Sequence, residues 1–429
     1  MRRTARRVIS LLAAGIVAVV AVALGPGHER VEPDPDIATL LSLPDDQVDD
    51  YLADRPGLAL KALNTRPDVV AEWWSEQSPE DRAEMVESAP ETIGNLGGID
   101  YASRDTANRA QLAERLDAAG KAVAADPSDA EAASRFAALS AIHGASKGKH
   151  EPARYLVELT DDQPPLAAVA VGDPDTARQV TYSVPGMGTY TDDMQLWTTG
   201  AENIHRAQGR AGAPAARSVI AWIGYVPPPP GIDATAGAYA ARGAPLLSAD
   251  IRALTAARDG TGLDTVSVIA HSYGTTTAAD ALADDDLGLY AFVMLGSAGI
   301  EYRIGRAAAL SAEQVFAGEA VADLEAGLGR IERIDPRAPA FGATVIGADG
   351  DPARGLVGVT GHAPILHSPY NDDPTSGAWT KYADPAERDR LYAQHMREFG
   401  YLDTGTDSLE NAARASTDPS ATTFQTPAK

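Results

Sequence analysis

The chain has 429 residues, a formal net charge of −24, 44% hydrophobic and 6% aromatic residues, and no cysteine. Such an acidic surface argues against nucleic acid or anionic lipid headgroups as partners. The absence of Cys excludes thiol nucleophiles, disulfides, Cys-ligated zinc and a lipidated N-terminal Cys.

In residues 1–27, Arg2, Arg3, Arg6 and Arg7 precede an uncharged apolar run, Val8 to Leu24, that breaks at Gly25-Pro26-Gly27. This pattern predicts an exported protein, either cleaved near Ala21-Val22-Ala23 or held at the outer face of the membrane by residues 8–24. Residues 28–150 read as a small helical module. Leu40, Leu41, Val48, Tyr51 and Leu52 recur at helical offsets, and Ser78-Pro79-Glu80 has the form of a helix start, with Ser as cap. The basic, Gly-containing stretch 144–152 marks its end.

From 151 to 429 the pattern changes to short apolar runs, RYLVELT, PLAAVAV, QVTYSVPG, RSVIAWIGY, TVSVIAHSYG, YAFVMLGSAG, AEQVFAGEA and ATVIGAD, separated by Ala-rich stretches. Strand alternating with helix predicts an α/β domain with a mostly parallel sheet covered by helices on both faces. Four consecutive prolines, Pro227 to Pro230, place a stiff loop just beyond the AWIGY strand.

In TVSVIAHSYGTTTAADAL an apolar strand, the turn Ala270-His271-Ser272-Tyr273-Gly274 and a small-residue helix follow one another directly. This is the context of a nucleophile elbow, where small residues two positions either side of the serine let the chain turn sharply. Ser272 is the expected nucleophile, and its hydroxyl requires a base that is itself oriented by an acid. In a strand-turn-helix site of this kind the acid and then the His follow in chain order. Asp323 follows the AEQVFAGEA strand and is the expected acid, with Glu319 and Asp335 as competitors. Of the histidines after the elbow, His367 is favoured as base because His-Ser-Pro-Tyr-Asn-Asp suits a polar loop. His362 on the same loop is the alternative, and His395 lies in a helical context. The expected oxyanion donors are the backbone N–H groups of Tyr273 and of Met187 in Pro185-Gly186-Met187-Gly188, with Gly188 as substitute.

The ordered segments resemble an actinobacterial α/β-hydrolase family long catalogued as a domain of unknown function. The resemblance runs from Trp73-Trp74 and PETIGNLGGIDYASRDTANRAQL, which carries Arg104, Asp105, Ala107, Asn108 and Arg109. It continues through YSVPGMGT, AWIGY, HSYG, MLGSAG and DPRAPAFGA to GYLDTGTDSLENAA. It implies an α/β-hydrolase fold with Ser272 as nucleophile, although this chain has Ala270 and Ala298 where many relatives have Gly and Pro. The His-Ser-x-Tyr pattern of relatives falls on His367 to Tyr370.

Together these residues lead us to expect an exported serine hydrolase that cleaves a carboxylic ester, or a thioester or amide, of a small-molecule or lipid-like acyl substrate through an acyl-enzyme. An envelope acyltransferase using the same site and a non-catalytic exported binding protein on the same scaffold are the competing expectations. No cofactor and no metal is expected, and no motif specifies an oligomeric state.

Overall fold

The computed structural model describes residues 66–418 together with Gln47, Tyr51 and Asn64. The expected signal or anchor segment, 1–27, and residues 8–24 within it, lie outside the described residues. Among the described residues no helix is long and apolar enough to cross a membrane.

Each of the eight apolar runs forms a strand: β1 Arg154–Leu159, β2 Ala167–Val171, β3 Gln179–Val184, β4 Arg217–Ile223, β5 Thr265–His271, β6 Leu289–Leu295, β7 Ala312–Gly318 and β8 Thr344–Ile346. They join in one sheet of order β1-β2-β4-β3-β5-β6-β7-β8. β2 is antiparallel to both neighbours, and the strands from β4 to β8 are parallel. This is the α/β-hydrolase fold. The central strands are apolar on both faces because helices cover both. Alternate residues of β5 show the division: Ile269 packs with Trp197 and Ile204 of α6 (Met194–Arg210) and Leu409 of α12 (Asp407–Ala415). Val268 and Ala270 pack on the opposite face with Leu247 and Leu254 of α7 (Ala238–Ala257) and Leu282 of α8 (Tyr273–Asp284).

Between Pro67 and β1 the helices are α1 Pro67–Ser75, α2 Pro79–Ser88, α3 Pro90–Asn95, α4 Tyr101–Ala125 and α5 Ala130–Ser146. Ser78 caps α2 as its sequence predicts, its hydroxyl accepting the Asp81 N–H at 3.1 Å. Trp74 is buried with Val70, Met85, Ile93, Leu96 and Ile99, and its indole N–H donates to Asp100 at 2.6 Å. The module is continuous with the α/β core, because Leu112 of α4 and Leu139 and Ile142 of α5 share a buried cluster with residues of β1, β2 and α6.

The same helices close the sheet's outer edge. Among the described residues β1 has a neighbour on one side only, and an unpaired edge leaves a row of unanswered N–H and C=O groups. Side chains answer them here. The Leu156 N–H donates to Asp105 at 2.5 Å, and Asn108 donates to the Leu156 carbonyl at 3.1 Å. Asn95 both accepts from the Leu159 N–H and donates to the Leu159 carbonyl, each at 2.9 Å. Arg109 donates to the Arg154 carbonyl at 2.8 Å.

Candidate active site

β5 delivers Ser272 into the turn before α8, and the turn is strained as an elbow must be: Ser272 has φ 54° and ψ −125°, in a region that L residues rarely enter. The Ser272 N–H donates to the Leu295 carbonyl at 2.9 Å, and its carbonyl accepts from the Thr275 N–H at 3.1 Å and the Thr275 hydroxyl at 2.6 Å. These bonds on both sides hold the strained residue in place. Gly274 explains the demand for a small residue, since a Cβ there would lie 2.4 Å from the Pro185 carbonyl oxygen. Ala270, where the pattern more often has Gly, is fully buried and its methyl is accommodated. The phenol of Tyr273 is anchored outside the turn, donating to the Ala236 carbonyl at 2.5 Å and accepting from the Ala240 N–H at 3.1 Å.

His362, on the loop after β8, sets its Nε2 2.7 Å from Ser272 Oγ and its Nδ1 2.8 Å from Asp323 Oδ2. Because a carboxylate can only accept, Nδ1 carries the proton and Nε2 turns its lone pair toward the serine hydroxyl, which donates. Ser272 is 6% exposed and the His362 side chain 13%, whereas the Asp323 side chain is fully buried. The serine and imidazole therefore reach solvent while the acid is sealed beneath them.

Asp323 follows β7 and accepts from the Glu325 N–H at 3.1 Å, the Ala326 N–H at 3.0 Å and the Tyr401 hydroxyl at 2.7 Å, in addition to His362. Burial alone would raise its pKa, but these donors, led by His362, outweigh it and hold the carboxyl at about 2. Tyr401 is fixed in turn by the Ala320 N–H, which donates to its oxygen at 3.0 Å.

The structure brings Ser272 and Asp323 together with His362, the alternative of the two histidines, and not with His367. His367 does not approach Ser272. Its Nδ1 lies 2.8 Å from Asp372 Oδ1 and its Nε2 2.8 Å from the Glu398 carbonyl. The physical reason is the path of the loop. The Ala363 and Pro364 carbonyls accept from the Tyr401 and Leu402 N–H groups at 3.1 and 2.7 Å, and Asp403 accepts from the Leu366 and His367 N–H groups. That pinning presents His362 to the elbow and carries His367 away with the polar turn. His395 ends α11 (Pro385–His395) beside His367. Glu319 is engaged by Arg330 and Arg337, and Asp335 by Arg337, so both competitors for the acid belong to ion pairs.

The loop after β3 lies against Ser272. A Cβ on Gly186 would stand 2.6 Å from Ser272 Cβ and 3.1 Å from Ser272 Oγ. Gly188 donates its N–H to the Pro228 carbonyl at 3.0 Å, so the proline loop braces this segment and the Gly188 donor is already used. Met187 is next to Gly186 and packs against the buried cluster of Ala234, Ala240, Tyr273 and Ala298.

Two contributors escaped sequence reasoning. His271, read as part of the turn alone, donates its Nε2–H to the His362 carbonyl at 2.9 Å. Burial first, and then the neighbouring His362, push its pKa down to about 3, so it stays neutral. Tyr401 lies within GYLDTGTDSL, and the recurrence of that segment in the resembling family was its only signal.

An alpha/beta hydrolase family model matches residues 161–332. Among curated proteins the chain is similar to uncharacterized protein Rv2079 of Mycobacterium tuberculosis strain H37Rv, 28% identical over 293 residues, covering 62% of this chain and 44% of that protein. It is equally similar to uncharacterized protein MT2140 of strain CDC 1551. The chain therefore spans less than half the length of these relatives. Among solved structures it is similar to a dienelactone hydrolase from Anabaena variabilis, with 16% identity, a TM-score of 0.33, and coverage of 58% of this chain and 100% of that one. A carboxylesterase from Mesorhizobium loti is 14% identical with a TM-score of 0.30, covering 54% of this chain and 95% of that one. At a coarse level the family match supports a hydrolase.

Proposed function

We propose that this chain is a serine hydrolase in which Ser272, His362 and Asp323 cleave a carboxylic ester, or less readily a thioester or amide, outside the cytoplasm. The observation that carries the reading is the continuous hydrogen-bonded path from Asp323 through His362 to a strained Ser272, at 2.8 and 2.7 Å. Ser272 Oγ attacks the carbonyl carbon while its proton passes to His362 Nε2. The carbonyl oxygen becomes an oxyanion that accepts from the Tyr273 and Met187 N–H groups. On collapse the leaving alcohol takes the proton from His362, and the acyl group stays on Ser272. Water then repeats the sequence, giving its proton to His362 and releasing the acid. Asp323 holds the Nδ1–H tautomer throughout and stabilises the imidazolium.

An apolar acyl group suits the surroundings. Val321, Leu324 and Leu328, close to Asp323 in the chain, expose aliphatic side chains at 81, 79 and 68%. Export is part of the proposal and rests on the arginine-led apolar run in residues 1–27.

A fluorophosphonate probe is expected to label the protein at Ser272, with Ser272→Ala abolishing labelling while the melting temperature is retained. A folded wild type that neither reacts with the probe nor hydrolyses p-nitrophenyl esters would end this reading in favour of a non-catalytic scaffold.

A further inference from the structure

The displaced base candidate stands in a second constellation, separate from the catalytic one. His367, Asp372 and His395 each bring a ligand-type atom into one group, all within 4.8 Å of one another. Asp372 Oδ1 lies 2.8 Å from His367 Nδ1 and 3.0 Å from His395 Nε2. The Glu398 carbonyl, 2.8 Å from His367 Nε2, can only accept, so Nε2 carries the hydrogen and the lone pair of Nδ1 faces the carboxylate. Lone pairs on both sides of a 2.8 Å contact repel unless a cation stands between them. One added proton on His367 answers this contact while His395, its ring centroid 4.8 Å away, donates from Nε2 as a neutral ring; a metal ion on the same three atoms is the other answer. A single dication answers all three atoms at once.

The geometry points to a binding site for a divalent transition metal ion of the zinc class on His367, Asp372 and His395, which clasps residues 368–399 to the loop that carries His362. Two imidazoles and one carboxylate are a zinc-type ligand set with a position left for water, whereas magnesium and calcium favour oxygen ligands. Tetrahedral zinc bonds of about 2.0–2.1 Å put donor atoms about 3.3 Å apart, so the 2.8 and 3.0 Å contacts to Asp372 would open slightly and the two ring nitrogens, within 4.8 Å of each other, would close around the ion. The supporting shell is in place. Glu398 orients His367, the Tyr392 hydroxyl donates to the Asp372 carbonyl at 2.8 Å, and the Asp372 N–H donates to the Ser368 carbonyl at 2.9 Å. Trp379 and Phe399 pack on His395 and His367 and shield the cluster. The side chains of His367 and His395 are 16 and 11% exposed and that of Asp372 37%, which leaves an approach for the ion on the carboxylate side.

The test uses the full chain, stripped with chelator, exchanged into metal-free buffer and titrated with ZnCl2 by calorimetry, with thermal unfolding in parallel. One zinc per chain and a rise of several degrees in melting temperature are expected. Co2+ in place of zinc should give the intense visible bands of a four-coordinate N/O site. His395→Gln and Asp372→Asn are each expected to weaken zinc binding at least tenfold and to remove the thermal shift, while His150→Gln changes neither. No stoichiometric binding by the wild type, a weak octahedral Co2+ spectrum, or full zinc affinity in both folded variants would each overturn the proposal. If both variants misfold, the wild-type titration and cobalt spectrum still decide.

Discussion

Replacing Gly186 with Ala places one methyl group where the loop after β3 meets Ser272. The new Cβ would stand 2.6 Å from Ser272 Cβ, 2.9 Å from the His271 carbonyl oxygen and 3.1 Å from Ser272 Oγ, against an ordinary contact of 3.4–4 Å. Gly186 is not among the glycines with positive φ, so the change tests space rather than backbone strain. The atoms it meets belong to the strained elbow, held by bonds to Leu295 and Thr275, and they cannot yield. The loop carrying Met187 must therefore retreat by roughly 1 Å, a displacement that can cost about 100-fold in rate. Overpacking of this kind costs about 1–3 kcal/mol of stability. The expected outcome is a fall in kcat of about 100-fold on a p-nitrophenyl ester, with a proportionate slowing of fluorophosphonate labelling and a melting temperature lower by a few degrees. Gly361→Ala, whose Cβ would meet nothing within 4 Å, should behave as wild type in both assays. A folded Gly186→Ala protein within threefold of wild-type kcat would refute the idea that this loop works against Ser272.

His362→Ala is expected to lose at least 1000-fold in ester hydrolysis while His367→Ala stays within tenfold of wild type; the reverse ranking in rates would restore His367 as base. Asp323→Asn should keep the fold and lower kcat by on the order of 10,000-fold, because the amide no longer selects the Nδ1–H tautomer. The Asp323 carboxyl is depressed from about 3.8 to about 2. Its contribution of about 2 kcal/mol is therefore present above pH 3.8 and lost as pH falls through 2, and acid unfolding of Asp323→Asn followed by circular dichroism should show a shallower dependence in that window. Burial, and then the neighbouring Asp250, raise the pKa of Glu158, so the folded chain retains a proton that the unfolded chain has lost. The associated stability is complete below the unfolded value and disappears as pH rises through the folded one. Glu158→Gln should thus raise the melting temperature more at pH 8 than at pH 5; an equal shift at both would discard the assignment.

What could be read in advance was whatever is decided locally. The eight strands announced themselves because a sheet buried on both faces demands unbroken apolar runs, as in β2 and β3, where every residue is buried. The place of Ser272 in its turn follows from Gly274 and the strand and helix on either side, all within a dozen residues. Asp323 was legible from its position just beyond β7. Which histidine meets Ser272 was not, since His362 and His367 lie five residues apart on one irregular loop and the choice between them is made by Tyr401, Leu402 and Asp403, more than thirty residues later. The polar turn that made His367 attractive is real, but it serves Asp372 and Glu398. His271 and Tyr401 were opaque for the same reason: their contacts, to the His362 carbonyl and the Asp323 carboxylate, exist only after the chain has closed on itself.

The way Asn95, Asp105, Asn108 and Arg109 occupy the outer side of β1 has a consequence for how the molecule lives among its own copies. Their amide, carboxylate and guanidinium groups satisfy the positions that a strand from another molecule would need, and they do so without offering a strand in return. A chain trimmed to begin at β1 would show an open ladder to every neighbour, and light scattering should then find it assembling into oligomers and aggregates where the intact protein does not.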